Sequence, residues 1–208
     1  MRPDLILAFD TSAAHCAAAL LFGGQNDGRV WLKSEAMEKG QAERLMPLIS
    51  DLLAEAGVVL TEVTAIAVGT GPGNFTGVRI AVAAARGLAL GLGVPTIGVT
   101  RLEALAYGLP RPVTVIEDAR RGEVYVQRFE VIGPGAARIV TAEALGVVVG
   151  AVAGREGLHS RPIAEAIARI ALTRLGTVQP RPAPFYLRGA DAAPPSDPPP
   201  VILDLAAS

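Results

Sequence analysis

Residues 65–99, AIAVGTGPGNFTGVRIAVAAARGLALGLGVPTIGV, carry the pattern on which the fold turns. Ala65 to Val68 is an apolar run of strand length, and Gly69 to Asn74 is a corner rich in glycine and proline. Phe75 to Leu92 is a long run of small apolar residues, and a second short apolar stretch runs from Pro95 to Val99. Read by length and by turn residues, this is a strand-helix-strand unit with its loop at the first strand-to-helix corner.

Working outward, Leu5 to Phe9, His15 to Phe22 and Arg29 to Ser34 read as strands joined by short turns, the second turn being Gly23 to Gly28. They form an antiparallel meander ahead of the unit. Between meander and unit, Leu45, Ile49, Leu52, Leu53 and Ala56 recur at helical spacing and Gly57 supplies a stop, predicting a helix over 41–56. Pro47 lacks an amide hydrogen, so the regular helix is expected to begin only at Met46. Downstream, Thr100 to Tyr107 reads as a helix, and Pro110 with Pro112 marks a boundary. The second half restarts with a strand at Val113 to Glu117, a hairpin about Arg120-Arg121-Gly122 and a return along Glu123 to Glu130. A strand at Val147 to Val149 and a helix from Pro162 to Leu175 complete it.

The expected organisation is a duplicated α/β architecture. It has an N-terminal domain over 1–108, a smaller α/β domain over 109–190 and a proline-rich, partly disordered tail over 191–208. Eight of the sixteen prolines fall between Pro180 and Pro200. A cleft between two such halves is the expected place for a ligand.

Composition narrows the function. The chain has 208 residues, half of them hydrophobic, with a formal net charge of -1. There is no overall basic footprint for direct RNA binding and no polybasic cluster for a membrane surface. The apolar run at Leu5 to Phe9 is too short for a leader or a span, which predicts a cytoplasmic location. Cys16 is the sole cysteine and reads as a buried strand residue. With only His15 and His159 beside it, a zinc site is not expected, nor is a Ser/His/Asp or Cys/His catalytic set. No catalytic residue is assigned.

Three stretches have the chemistry to meet a nucleotide or phosphate. Gly71, Gly73, Asn74 and Thr76 lie at a helix N-terminus, where free amides and the helix dipole favour an anion. The stretch lacks the Lys-Ser/Thr of a P-loop and the last glycine of the dinucleotide fingerprint, so a tight turn capped by Asn74 is the stronger reading. Asp10, Thr11 and Ser12 suit magnesium and phosphate, or equally an ordinary turn. Glu117 to Tyr125 reads first as a solvated hairpin, with Asp118 and Arg120 as residues that could face a cleft. The helix over 75–92 presents Gly77, Ala81, Ala84, Ala85 and Leu88 as a small apolar stripe, with Arg79 and Arg86 together on another face. With Leu45, Ile49 and Leu52 of the neighbouring helix, that stripe serves either burial within the monomer or a partner interface.

Several motifs together resemble the TsaB (YeaZ) family: Asp10-Thr-Ser12, Glu43 to Ile49, the Gly69 to Ile80 loop with its GPGxFTGxR core, Gly87 to Leu90, Pro95 to Val99, Asp118 to Tyr125 and Tyr186-Leu-Arg188. The resemblance implies an actin-like ATPase fold, shared with sugar kinases and heat-shock proteins and related to ribonuclease H, with two related domains of which the second is reduced. It implies a noncatalytic scaffold role in forming N6-threonylcarbamoyladenosine in tRNA, as partner of the catalytic paralogue TsaD, with the ATPase TsaE joining. The pairing surface it implies is made by the helices over 41–56 and 75–92. tRNA would be met through the complex, and the isolated chain is compatible with a homodimer. TsaD carries a metal-binding His-x-x-x-His after the segment matching Gly98-Val99, whereas Arg101 and Leu105 stand there in this chain. Neither offers a metal a donor atom. Two rival readings remain: an active enzyme, either a TsaD-like nucleotide-dependent transferase or an M22-type metallopeptidase, and a small regulator binding ATP or ADP through Asp10, Thr11 and the glycine loop. This chain departs from many relatives in having Gln41-Ala42 where they have His followed by Ser or Thr, and in its short second half.

Overall fold

A strand buried on both faces has no polar side to show, and the apolar run at the N-terminus folds accordingly. In the computed structural model, which describes residues 4–23, 28–148, 150–154 and 161–188, β1 (Leu5–Asp10) is buried at all six positions. β2 (His15–Phe22) and β3 (Arg29–Ala36) continue antiparallel on one side, while β4 (Ala65–Gly69) and β5 (Thr96–Val99) pair parallel on the other. The sheet order is β3-β2-β1-β4-β5.

Alternation divides the two faces. Leu5, Leu7 and Phe9 enter one core with α1 (Gln41–Ala56) and α2 (Phe75–Leu92), while Ile6 and Ala8 enter another with residues of α3 (Arg101–Ala106) and α4 (Ile163–Arg174). α2 is long and apolar enough to cross a membrane by length and composition alone. It lies instead on β4, with Val78, Ala81, Val82, Ala85 and Ala89 buried in the first core.

α1 begins at Gln41, five residues before the expected start at Met46. Pro47 is the seventh residue of the helix and forfeits one backbone bond, that to the Glu43 carbonyl. Burial of Leu45, Leu48 and Ile49 on both sides of it outweighs that loss. Gly57 ends the helix in a left-handed conformation, its amide directed at the Leu53 and Ala54 carbonyls.

The second sheet repeats the first in part. β6 (Val113–Asp118) and β7 (Glu123–Glu130) form an antiparallel pair, β8 (Gly133–Pro134) and β9 (Arg138–Thr141) join β7, and β10 (Ala151–Gly154) pairs parallel with β6. The order β9-β7-β6-β10 thus reproduces β3-β2-β1-β4. Between β9 and β10 the described residues hold one three-residue 3-10 turn where the first half has α1. The chain thus builds two α/β sheets of matching strand order, the second reduced.

The strand expected at Val147 to Val149 forms instead at Ala151–Gly154, and residues 147 and 148 are irregular. Valine has the better strand propensity, but small residues meet the tight pairing with β6. A side chain on Gly154, at φ +103°, would overlap the Ile116 carbonyl. α4 follows the second sheet in sequence yet packs across β1 and β2 of the first, where Ala164, Ile167 and Ala171 are fully buried. The tail over 191–208 and His159 lie outside the described residues.

Candidate functional site

The end of β1 and the glycine loop, each weighed as an anion site against an ordinary turn, are closed onto one another. Asp10, Thr11 and Ser12 have no solvent exposure. Thr11 donates its hydroxyl to the Gly77 carbonyl at 2.6 Å, and the Asn74 amide donates to the Ser12 carbonyl at 2.6 Å. A Cβ on Gly73 would overlap the Ser12 carbonyl, one on Gly77 the Thr11 carbonyl, and one on Gly69 the Asp10 carboxylate. Gly73 and Gly77 therefore let backbone lie on backbone, and Gly69 makes room for the buried carboxylate. The Asn74 side chain accepts from the Thr76 and Gly77 amides at 3.0 and 3.1 Å, so it caps α2, as the stronger sequence reading had it. Of the residues proposed for phosphate, Asp10 and Thr11 are sealed, and the amides of Asn74, Thr76 and Gly77 are committed. Gly71 turns at φ +88° and gives its carbonyl to the Arg101 amide. The sequence showed that these segments were special. It did not show that they were special for each other.

Asp10 is the hub of a charged cluster. Its Oδ2 accepts from His15 Nε2 at 2.7 Å and from the Ser12 hydroxyl at 3.0 Å, and lies 3.5 Å from Nη1 of Arg101. Burial opposes its charge, but the bond to His15, the Arg101 guanidinium and the Ser12 hydroxyl together hold the carboxyl below the ordinary aspartate range. Arg101, at the start of α3, donates its Nε to Glu117 of β6 at 3.0 Å. One guanidinium thus joins the last residue of β1 to the second sheet. Neither His15 nor Glu117 was singled out for this cluster: the Asp10–His15 bond joins adjacent strands of the first sheet, and the Arg101–Glu117 bond crosses to the second.

This cluster does not fit a resident metal. Arg101 occupies the space between the two carboxylates, Leu105 packs in the core of the second sheet, and no group of three His, Cys, Asp or Glu side chains among the described residues is placed to hold an ion. Cys16 is buried, and burial pushes its thiol up to about 11, which is the state of a structural cysteine.

The helix residues expected at a partner interface divide in two. Leu45, Ile49, Leu52, Gly77, Ala81 and Ala85 are buried in the monomer, most of them against the chain's own sheet, and cannot meet a partner. The strongest apolar periodicity marks the face that covers the core. Arg79 is exposed, and Ala84 and Leu88 are half-buried. The outward face of α2 carries Ala83, Gly87 and Leu90, the last 82% exposed. Met46 and Pro47 are exposed on the adjacent α1.

Between the halves lies a cavity of about 1320 Å³, lined by Ser12, the 72–75 corner, Arg79, Arg101, the 117–121 corner, Tyr125 and residues 185–188. Residues 185–188 close one side: Phe185 donates its amide to the Thr70 carbonyl, and Arg188 binds Glu123 and the Ala119 carbonyl.

Residues 35–194 match the family model of TsaD, tRNA N6-adenosine threonylcarbamoyltransferase. The Escherichia coli (strain K12) protein named tRNA threonylcarbamoyladenosine biosynthesis protein TsaB is 42% identical over 130 residues, 60% of this chain and 54% of that protein. The Haemophilus influenzae protein of the same name is 38% identical over 130 residues, 60% of this chain and 53% of its own length. The chain spans about half the length of these curated relatives. Among solved structures, YeaZ from Pseudomonas aeruginosa superposes with a TM-score of 0.69 at 33% identity, over 88% of this chain and all of that one. A P. aeruginosa protein described as uncharacterized, with similarity to peptidase YEAZ, superposes with a TM-score of 0.72 at 31% identity, over 89% of this chain and all of that one. With the family model matching residues 35–194 of the 208 in this chain and YeaZ matched end to end, the chain belongs to the TsaD family in its TsaB (YeaZ) branch.

Proposed function

We propose that this chain is the noncatalytic subunit that supports N6-threonylcarbamoyladenosine formation in tRNA, acting in the cytoplasm by binding and activating TsaD, with TsaE joining the assembly. The observation that carries the noncatalytic assignment is the seat of Arg101. A guanidinium paired to Asp10 and Glu117 stands where the catalytic paralogue places a metal-ligating histidine. A positive charge fixed between the carboxylates repels a divalent cation and supplies no ligand to one. The same observation argues against the transferase and metallopeptidase readings.

The names of the relatives support the pathway, and the outward face of α2 supports the partner role. Small residues at Ala83, Ala84 and Gly87 let a second helix approach closely, and Leu90 offers apolar area to cover. The test is reconstitution of tRNA modification with TsaD and TsaE, with and without this chain. Modification that proceeds equally without it would sink the proposal. For the interface, Gly87→Arg is the sharper variant, because a Cβ at Gly87 meets nothing within 4 Å and the monomer accepts the side chain. We expect it to abolish co-elution with TsaD in size-exclusion chromatography while the melting temperature holds. The same variant tested on the isolated chain reports whether a homodimer uses this face.

A further inference from the structure

We infer that β3 is a docking edge for a second copy of this chain, the two first sheets joining edge to edge about a two-fold axis at Leu32. β3 ends the sheet order β3-β2-β1-β4-β5 and pairs with β2 over all eight of its residues. Proline or a bulge commonly blunts such an edge, and β3 has neither. Its outward-facing backbone groups are those of the even-numbered residues. Met37 donates its amide to the Ala14 carbonyl at 3.1 Å, and the register runs unbroken from that pair to Phe22 opposite Arg29. Bonding direction alternates along an antiparallel strand, so the odd-numbered residues of β3 bond β2. The amides and carbonyls of Val30, Leu32, Ser34 and Ala36 point away from the sheet, and among the described residues nothing pairs with them.

The edge is complementary to itself in one register. With Leu32 opposite its own copy, Arg29 faces Glu35 and Trp31 faces Lys33, each pair occurring twice, while Val30 faces Ser34. Moving the axis to Trp31 sets Arg29 against Lys33, and moving it to Lys33 sets Lys33 against itself. These odd-numbered side chains already have contacts in their own subunit. Arg44 holds Glu35, Glu55 holds Lys33, and the Arg29 guanidinium lies 4.0 Å from the Trp31 centroid. The interchain pairs therefore select the register and add little affinity. Affinity comes from about six ladder bonds at Val30, Leu32 and Ser34, and from Leu32 itself, 38% exposed in the monomer and set against its copy at the axis. The helices leave room for this pairing. α4 packs chiefly on β1 and β2, and α1 more on β2 than on β3. Two copies of either helix stand three strand spacings apart or more, about 14 Å, which is wider than helix contact.

The inference is independent of the proposed function, because α2 packs on β4 and its outward face stays uncovered in such a dimer. The test is sedimentation equilibrium of the intact chain from about 1 to 200 µM, the range of weak self-association. We expect a monomer–dimer equilibrium. Leu32→Lys sets like charges at the axis from an exposed position, and should weaken association about tenfold or more while the melting temperature holds. Arg29→Glu and Glu35→Arg each put like charges opposite one another twice, and each alone should associate about tenfold more weakly. Their equimolar mixture restores both opposite-charge pairs and should recover the dimer. A chain that stays monomeric across that range, or a mixture no more associated than either variant alone, would overturn the inference. A dimer lost in Gly87→Arg and untouched by Leu32→Lys would overturn it in favour of the α2 face.

Discussion

The corners that follow β1 and β6 occupy equivalent places in the two sheets, and they have opposite characters. Residues 10–15 leave the central strand of the first sheet and residues 118–123 that of the second, each leading into an antiparallel neighbour. At the first, Asp10, Thr11 and Ser12 are sealed beneath the glycine loop. At the second, Arg120 and Arg121 stand exposed at positive φ. The difference lies in what packs on each corner. The loop before α2 lies directly on the first, whereas the turn at Gly122 has open space around it. The first corner is therefore part of the core, and the second is a hairpin tip that faces solvent.

The largest effect that would break this contrast is steric. Gly77→Ala drives a Cβ into the Thr11 carbonyl, and neither backbone can retreat without opening the start of α2 or the end of β1. We expect a loss of about 4 kcal/mol or more in urea denaturation. Gly122→Ala meets nothing within 4 Å and suffers only from its φ of +74°, for a loss of about 1 kcal/mol. Equal losses at the two corners would show that the first is not the packed one.

Next in size is the bridge between them. Arg101→Met keeps most of the side-chain volume but leaves Asp10 buried without its cation, for a loss of about 3 kcal/mol. The pH dependence has a definite sign. The folded-state pKa of Asp10 is lowered, so its contribution is complete above the unfolded value and disappears as pH falls through the folded one. The wild-type melting temperature should therefore fall on acidification below about pH 4, and Arg101→Met should flatten that fall. Asp10→Asn placed on Arg101→Met should recover part of the loss. A double variant no better than Arg101→Met alone would mean that the guanidinium serves packing and not charge.

Much of the fold was legible because its strands and helices are marked locally. Uninterrupted apolar runs announced β1, β2 and β4, and Asn74 and Gly57 marked helix ends where the structure has them. Legibility stopped where pairing decided. The valines at 147–148 lost their strand to Ala151–Gly154, where Gly154 lies directly against the Ile116 carbonyl of β6. The stripe through Leu45, Ile49, Ala81 and Ala85 was visible as a buried face, but amphipathicity does not say whether a helix is covered by its own sheet or by another chain. Within the site, the sequence marked Asp10, Gly73 and Asn74 as special, and the resemblance singled out Arg101. The bonds that define their roles span tens of residues, from Thr11 to Gly77 and from Arg79 to Tyr186, and leave no local trace.

The smallest effect, and the one that most sharpens the contrast, is a gain. Arg120→Gly removes a Cβ from φ +62° at an exposed position whose amide bonds Asp118 Oδ1 at 3.0 Å, a bond that glycine keeps. Relief of the left-handed penalty favours the variant, and the extra freedom of glycine in the unfolded chain opposes it. We expect a net stabilisation of about 0.5–1 kcal/mol. A measured gain would show that the left-handed backbone at the second corner costs stability that no contact of the Arg120 side chain repays. A loss on that substitution would mean that the guanidinium is held by the protein itself, and the second corner would then resemble the first.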